Sequence, residues 1–177
     1  RAVDLDHCET DRRKVRSYPK AGTTDIILLP LSRLRGIMSG DELADRVSGL
    51  LHEPTQVTED GVDLTVTEVY EVAGPGRVDF GGGELDAAEL EPHDRVWRNT
   101  DDDYQWWNLD AGQYVIEYNE SLAGAEPVIL QPRDALLSRG ASHPTVRVSA
   151  LSTLPLSVGG AGIRLKENAR VTTARLP

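Results

Sequence analysis

The sequence has one cysteine, one methionine, one phenylalanine and three lysines in 177 residues. A single thiol, Cys8, excludes an internal disulfide and any multi-thiolate zinc site. Long apolar runs are missing too. The longest, IILLPL at residues 26–31, falls far short of the ~20 residues a membrane-spanning helix needs and lacks the layout of a secretory signal. The chain therefore reads as soluble and cytoplasmic, with no membrane partner. His7, His52, His93 and His143 have no ligand spacing, so no metal–histidine site is expected. A basic balance is also lacking. The formal net charge of −10 argues against a protein built to hold duplex nucleic acid, yet a small anionic ligand needs only a few local cations.

What is present is acid, unevenly placed. Residues 1–37 carry 8 Lys+Arg against 5 Asp+Glu, whereas residues 38–177 carry 11 against 24. An Asp/Glu-rich surface with almost no lysine suits solvation in strong salt, where screening relieves self-repulsion, and suggests a halophilic source. A GC-rich genome that favours arginine codons is the plainer alternative. The composition changes at GIMSGDEL, so the chain divides into a basic extension, residues 1–37, and one domain, residues 38–177. The extension is either a flexible arm or an addition upstream of a true start at Met38.

Within the domain, SGDE places Ser39 three residues before Glu42, a capping box, and Leu43, Val47, Leu50 and Leu51 recur at helical spacing. This predicts a short N-terminal helix that stops before Pro54. Period two takes over at GVDLTVTEVYEV, a strand with one buried face. AGPGRVDFGGG predicts two turns around a short strand, and SVGGAGIRL a tight hairpin, since it lacks the Lys-Ser/Thr of a phosphate loop. YQWWNL, QYVIEYN, PVILQ, TVRV, LPLSV, GIRLK and ARVTTARL read as further short strands. Many short strands between Gly, Pro, Asn and Asp imply an all-β sandwich or barrel.

The order of IMSGDEL, QVTEDGVDLTV, LDAGQYVIEYNESL, PRDALLSRG and LKENARVTTARL resembles the dCTP deaminase and dUTPase superfamily over roughly residues 37–176. The most specific parts are GVDLTV and LDAGQYVIEYNESL, the second read as a strand pair. The resemblance implies a distorted jelly-roll-like β-barrel, a homotrimer with deoxynucleoside triphosphate sites between subunits, and Mg2+ as cofactor if the protein is a dUTPase. It implies hydrolysis of dUTP to dUMP and diphosphate, ranked ahead of deamination of dCTP. The rival is a non-catalytic trimer that binds a nucleotide or a protein partner.

The departures from the family pattern shape the site. Where the second motif usually reads Arg-Ser-Ser-Leu, this chain has Arg133, Asp134, Ala135 and Leu136; a later loop arginine falls on Ser138, beside Arg139. The third-motif segment GASHPTVRVSALSTLPLSVGG contains no carboxylate, and the last motif's glutamine falls near Thr173. The chain also ends without the glycine-rich arm found in many dUTPases.

The expected substrate contacts are Arg133, Ser138, Arg139 and Thr145, with the Arg133 fork on phosphate oxygens. Asp63 and Asp134 are the candidate groups for water or metal, and His143 the candidate base near the leaving phosphates. Each has a structural alternative. Arg133 and Asp134 read equally as a surface ion pair, Asp63 as a buried acceptor served by backbone or by an arginine across the interface, and His143 as a turn residue before proline. Trp97, Trp106 and Trp107 read as core and interface bulk rather than base-stacking groups.

Overall fold

The computed structural model describes residues 40–177; the basic extension, Met38 and the Ser39 cap lie outside the described residues. In chain order the elements are α1 (Gly40–Ala44), β1 (Val47–Ser48), α2 (Glu53–Gln56), β2 (Val57–Thr58), β3 (Gly61–Gly74), β4 (Glu89–Pro92), β5 (Trp106–Leu109), β6 (Gly112–Tyr118), β7 (Ser121–Leu122), β8 (Val128–Pro132), α3 (Asp134–Leu137), β9 (Ala141–Ser142), β10 (Val146–Val148), β11 (Leu154–Val158), β12 (Ile163–Lys166) and β13 (Arg170–Arg175). The described part is all-β, with three short helices at its connections. No described helix is long and apolar enough to cross a membrane.

The long strand β3 organises the fold. Its first half pairs with β13 and β2, its second half with β6 and β4, and register shifts at Val66/Glu68 and Arg170/Thr172 mark where it changes partners. The resulting nine-stranded sheet runs β10-β8-β13-β3-β6-β11-β9, with β2 and β4 attached to β3. Bulges of this kind bend a strand and raise its twist, which curls the sheet around its apolar face. Val62, Leu64, Val66, Val69, Ile116 and Leu156 of this sheet are completely buried, as is Trp107 of β5. Each such side chain contributes about 1.5–3 kcal/mol by leaving water. Two small sheets, β1-β7 and β12-β5, complete the body.

Five expectations are corrected. The N-terminal helix is confined to Gly40–Ala44 instead of running to Pro54. Val47 and Ser48 pair with Leu122 and Ser121, and Gly49 then turns the chain at φ +86, a conformation closed to most side chains. Leu51, expected on the apolar face, is 52% exposed, and Pro54 sits in the first turn of α2 instead of ending a helix.

The expected hairpin at residues 157–165 does not form. β11 pairs with β6 and β9, whereas β12 pairs with β5, so the glycine stretch carries the chain between sheets. Gly162, at φ +70, makes the change of direction. Beyond the end of β3 at Gly74, the AGPGRVDFGGG segment holds no strand of its own, only a bridge from Arg77 to Asp86, and the Asp79 carboxylate accepts the Gly82 and Gly83 amides. The two strands of LDAGQYVIEYNESL, β6 and β7, do not pair with each other; β7 pairs with β1 and β6 with β3 and β11. Of the tryptophans, only Trp107 is core, and Trp97 is 58% exposed.

Candidate functional site

Antiparallel register builds the site. Thr173 on β13 stands opposite Asp63 on β3 and Gln131 on β8, which aligns three polar residues across adjacent strands of the curled sheet. Pro132 ends β8, and Arg133, with extended backbone at φ −70 and ψ 147, becomes the N-cap of α3. The loop is held by Arg133 N–H donating to the Val171 carbonyl at 3.0 Å and by Leu136, buried beneath it.

Asp63 is the most constrained charge in this region. Its side chain is 4% exposed, and Oδ2 lies 2.9 Å from Arg133 Nε and 3.3 Å from Arg170 Nη1. Oδ1 accepts the Thr173 hydroxyl at 2.8 Å. A buried carboxylate is tolerated when charge and hydrogen bonds replace lost water, and here both oxygens have donors. Arg133 Nη1 also donates to the Arg170 carbonyl at 3.2 Å, leaving Nη2 without a partner among the described residues. The alternative of an Arg133–Asp134 surface pair is therefore replaced by Arg133–Asp63, and Asp63 takes its arginines from its own chain.

Asp134 differs sharply. It is exposed, and its carboxylate has no hydrogen-bond or ion-pair partner among the described residues. Asp63, Arg133 and Asp134 line one surface cleft of roughly 240 Å³, together with Asp60, Gln131 and Thr173.

Four expected site residues are not brought to that cleft. Ser138 and Arg139 lie at the far end of α3, where the Ser138 hydroxyl donates to the Ala135 carbonyl and Arg139 donates to the same carbonyl at 2.8 Å. Thr145 is exposed between β9 and β10. His143 is buried on the other face of β13. Its Nε2 lies 2.8 Å from the Thr172 hydroxyl, which lies 2.6 Å from the Tyr118 hydroxyl, and its Nδ1–H donates to the Pro144 carbonyl. Burial pushes the imidazole below its ordinary range and the Tyr118 phenol up.

A second polar cluster braces Asp63 from behind and was not visible in the sequence. Gln56 donates from Nε2 to the Asp63 carbonyl at 2.9 Å and to Glu120 Oε1 at 2.6 Å. Glu120 also accepts the Thr65 amide and the Thr65 hydroxyl. Glu120 is 4% exposed, and all these donors are neutral. Gln56 ends the one-turn helix α2 and Glu120 lies between β6 and β7, far away in sequence, so only folding brings them together. The period-two pattern of β3 could have marked Thr65, since it shares a face with Asp63.

No protein-family model matches the sequence. Over 124 residues the chain is 31% identical to a Methanosarcina acetivorans protein named probable deoxyuridine 5′-triphosphate nucleotidohydrolase, covering 66% of this chain and 69% of that protein. A protein of the same name from Archaeoglobus fulgidus is 31% identical over 114 residues, covering 60% of this chain and 63% of that protein. Among solved structures, 2′-deoxycytidine 5′-triphosphate deaminase from Agrobacterium tumefaciens is similar with a TM-score of 0.49 at 14% identity, over 81% of this chain. The chain spans about half of that deaminase, 46% of its length.

Proposed function

The chain belongs to the dCTP deaminase and dUTPase superfamily, and from that premise we propose that it hydrolyses dUTP to dUMP and diphosphate. The observation that carries this reading is Asp134: a carboxylate without a partner among the described residues, beside the Arg133 fork in an open cleft. Hydrolysis asks for cationic groups on the phosphates and one group that orients water. Arg133 Nη2 offers the first, and Asp134 the second. Asp63, with both oxygens occupied, holds Arg133 in place.

Deamination is ranked second because the segment from β9 to β11 has no carboxylate, and its one histidine is turned into the interior. His143 is thereby better suited to bracing the fold than to proton transfer on a substrate.

Mg2+ fits the cleft as a hard ion met by the exposed Asp60 and Asp134 carboxylates. No group of three or more His, Cys, Asp or Glu that could hold a metal ion occurs among the described residues, which favours an ion that arrives with the triphosphate. When bound, it would neutralise charge on the phosphate oxygens. A homotrimer, in which a neighbouring copy closes the cleft, accords with family membership and with Leu137 on α3 being 47% exposed.

A second reading, a nucleotide-binding homologue without chemistry, is favoured by one observation: Asp63 is 4% exposed and both its oxygens already accept from Arg133, Arg170 and Thr173. The two are separated by offering purified protein and Mg2+ either dUTP or dCTP while following diphosphate, ammonia and nucleotide-induced thermal shift. Turnover of dUTP supports hydrolysis, and a thermal shift without turnover supports the second reading.

A further inference from the structure

Asp63 draws two side chains from β13 that a regular strand could not both supply. Side chains alternate along a strand, so residues three apart, such as Arg170 and Thr173, point to opposite faces. Here the Thr173 hydroxyl donates to Asp63 Oδ1 at 2.8 Å, and Arg170 Nη1 lies 3.3 Å from Oδ2. The register accounts for it. Thr173 stands opposite Asp63 and Thr172 opposite Leu64, but Arg170 instead of Val171 stands opposite Thr65, so a bulge falls between Arg170 and Thr172. A bulge breaks the ladder locally and re-aims a side chain. The Arg170 guanidinium is anchored further by donating to the carbonyl of Thr55 in α2, the turn whose Gln56 donates to the Asp63 carbonyl.

The pairing of Arg133 with Asp63 is incomplete. A guanidinium and a carboxylate left to themselves tend to close two parallel N–H···O bonds. Arg133 makes one such contact, from Nε to Oδ2 at 2.9 Å. Oδ1 is taken by Thr173, Oδ2 is shared with Arg170, and Arg133 Nη1 is drawn away to the Arg170 carbonyl at 3.2 Å. Arg170 therefore acts at both ends of the pair: its side chain occupies Oδ2, and its backbone oxygen holds Nη1. What remains is Nη2, without a partner among the described residues, on a side chain that lines the cleft. The charges agree. A single carboxylate between two guanidinium groups leaves positive charge in excess, whereas Asp63 with Arg133 alone would be neutral.

We propose that Arg170 is a positioning residue: re-aimed by the β13 bulge onto Asp63 Oδ2, it stops Arg133 from closing both arms of its fork on Asp63 and so keeps Nη2 free for an anionic substrate oxygen. Arg170 itself touches no substrate in this scheme. The geometric part stands on the contacts above, and its consequence for dUTP rests on the hydrolase reading.

The test follows the Arg133 guanidinium by NMR in the isotope-labelled full chain, with its signals assigned by their loss in R133Q. In wild type the Nη2 group is expected to rotate freely and to exchange with water. R170Q, and R170M in case the amide disturbs folding, vacate the second position on Oδ2. Arg133 is then expected to close two bonds on Asp63, which slows rotation about Cζ–Nη2. R170K keeps a cation for Oδ2 and is expected to restore the wild-type signals. In steady-state assays R170Q is expected to raise KM for dUTP about tenfold while kcat changes less than about twofold, as loss of binding shared by ground and transition states requires. R147Q, which removes one exposed cation from β10, is expected to leave KM unchanged.

Identical Arg133 signals in wild type, R170Q and R170M overturn the proposal. So does a rise in KM that R147Q reproduces, which assigns the effect to overall charge, and so does closure of Arg133 with no rise in KM. Failure of the hydrolase reading looks different: Arg133 closes on Asp63 in R170Q, as proposed, while the wild-type chain turns over no dUTP.

Discussion

Arg133 closes on Asp63 of its own chain, Nε to Oδ2 at 2.9 Å, across the end of β13. The contact joins the longest strand of the sheet to the loop that caps α3, so the geometry of the cleft and the stability of the sheet share one ion pair. Asp63→Ala leaves two guanidinium groups facing an empty, mostly buried position. The expected cost is about 2–3 kcal/mol, below the usual range for a broken buried pair because both arginines are partly exposed to water. Urea denaturation of D63A against wild type measures it, and an unchanged midpoint would mean that Asp63 does not hold Arg133.

Asp134 is expected to behave in the opposite way. Its carboxylate makes no internal contact among the described residues, so Asp134→Asn should leave the melting temperature unchanged while lowering dUTP turnover about 10²-fold. A loss of stability that matches the loss of activity would place Asp134 in the framework instead of the chemistry.

Glu120 holds the cluster behind Asp63. Glu120→Leu strips acceptors from Gln56 Nε2, the Thr65 amide and the Thr65 hydroxyl together, at an expected cost of about 3 kcal/mol. Glu120→Gln keeps an acceptor in place and should recover much of that loss in the same denaturation experiment.

His143 sets a pH dependence with a definite sign. Burial lowers its pKa in the folded chain, so between the ordinary value of about 6.5 and the lowered one the unfolded chain binds the extra proton. Its contribution to stability is full above pH 6.5 and is lost as pH falls through that window, at up to about 1.4 kcal/mol per pH unit. The neutral imidazole is needed because Nε2 accepts from Thr172, which in turn meets Tyr118. His143→Gln should flatten the fall in melting temperature between pH 6.5 and pH 5. An unaltered slope would show that another group carries the acid sensitivity.

The β-rich architecture was legible because period two in GVDLTVTEVYEV and the short apolar runs after it leave a local trace in sequence. Arg133, Asp63 and Asp134 could also be singled out, since a charge in a strand or just after a strand-ending proline calls for a partner. Which partners they find was not legible. Arg170 and Thr173 reach Asp63 only through the β3–β13 register, and no local pattern encodes a pairing of strands so far apart. His143 read as a candidate base or as a turn residue before proline, and neither reading pointed to Thr172 and Tyr118, which draw it inward. The N-terminal helix failed for the same reason: apolar spacing at Leu43 and Val47 is real, but strand pairing with β7 overrides the propensity that continues it.

The most direct test of the account is to incubate the wild-type chain with Mg2+ and dUTP and identify the products by phosphorus NMR. The account predicts dUMP and diphosphate, with no ammonia released from dCTP in a parallel reaction. Ammonia from dCTP, or dUDP and orthophosphate from dUTP, would contradict it.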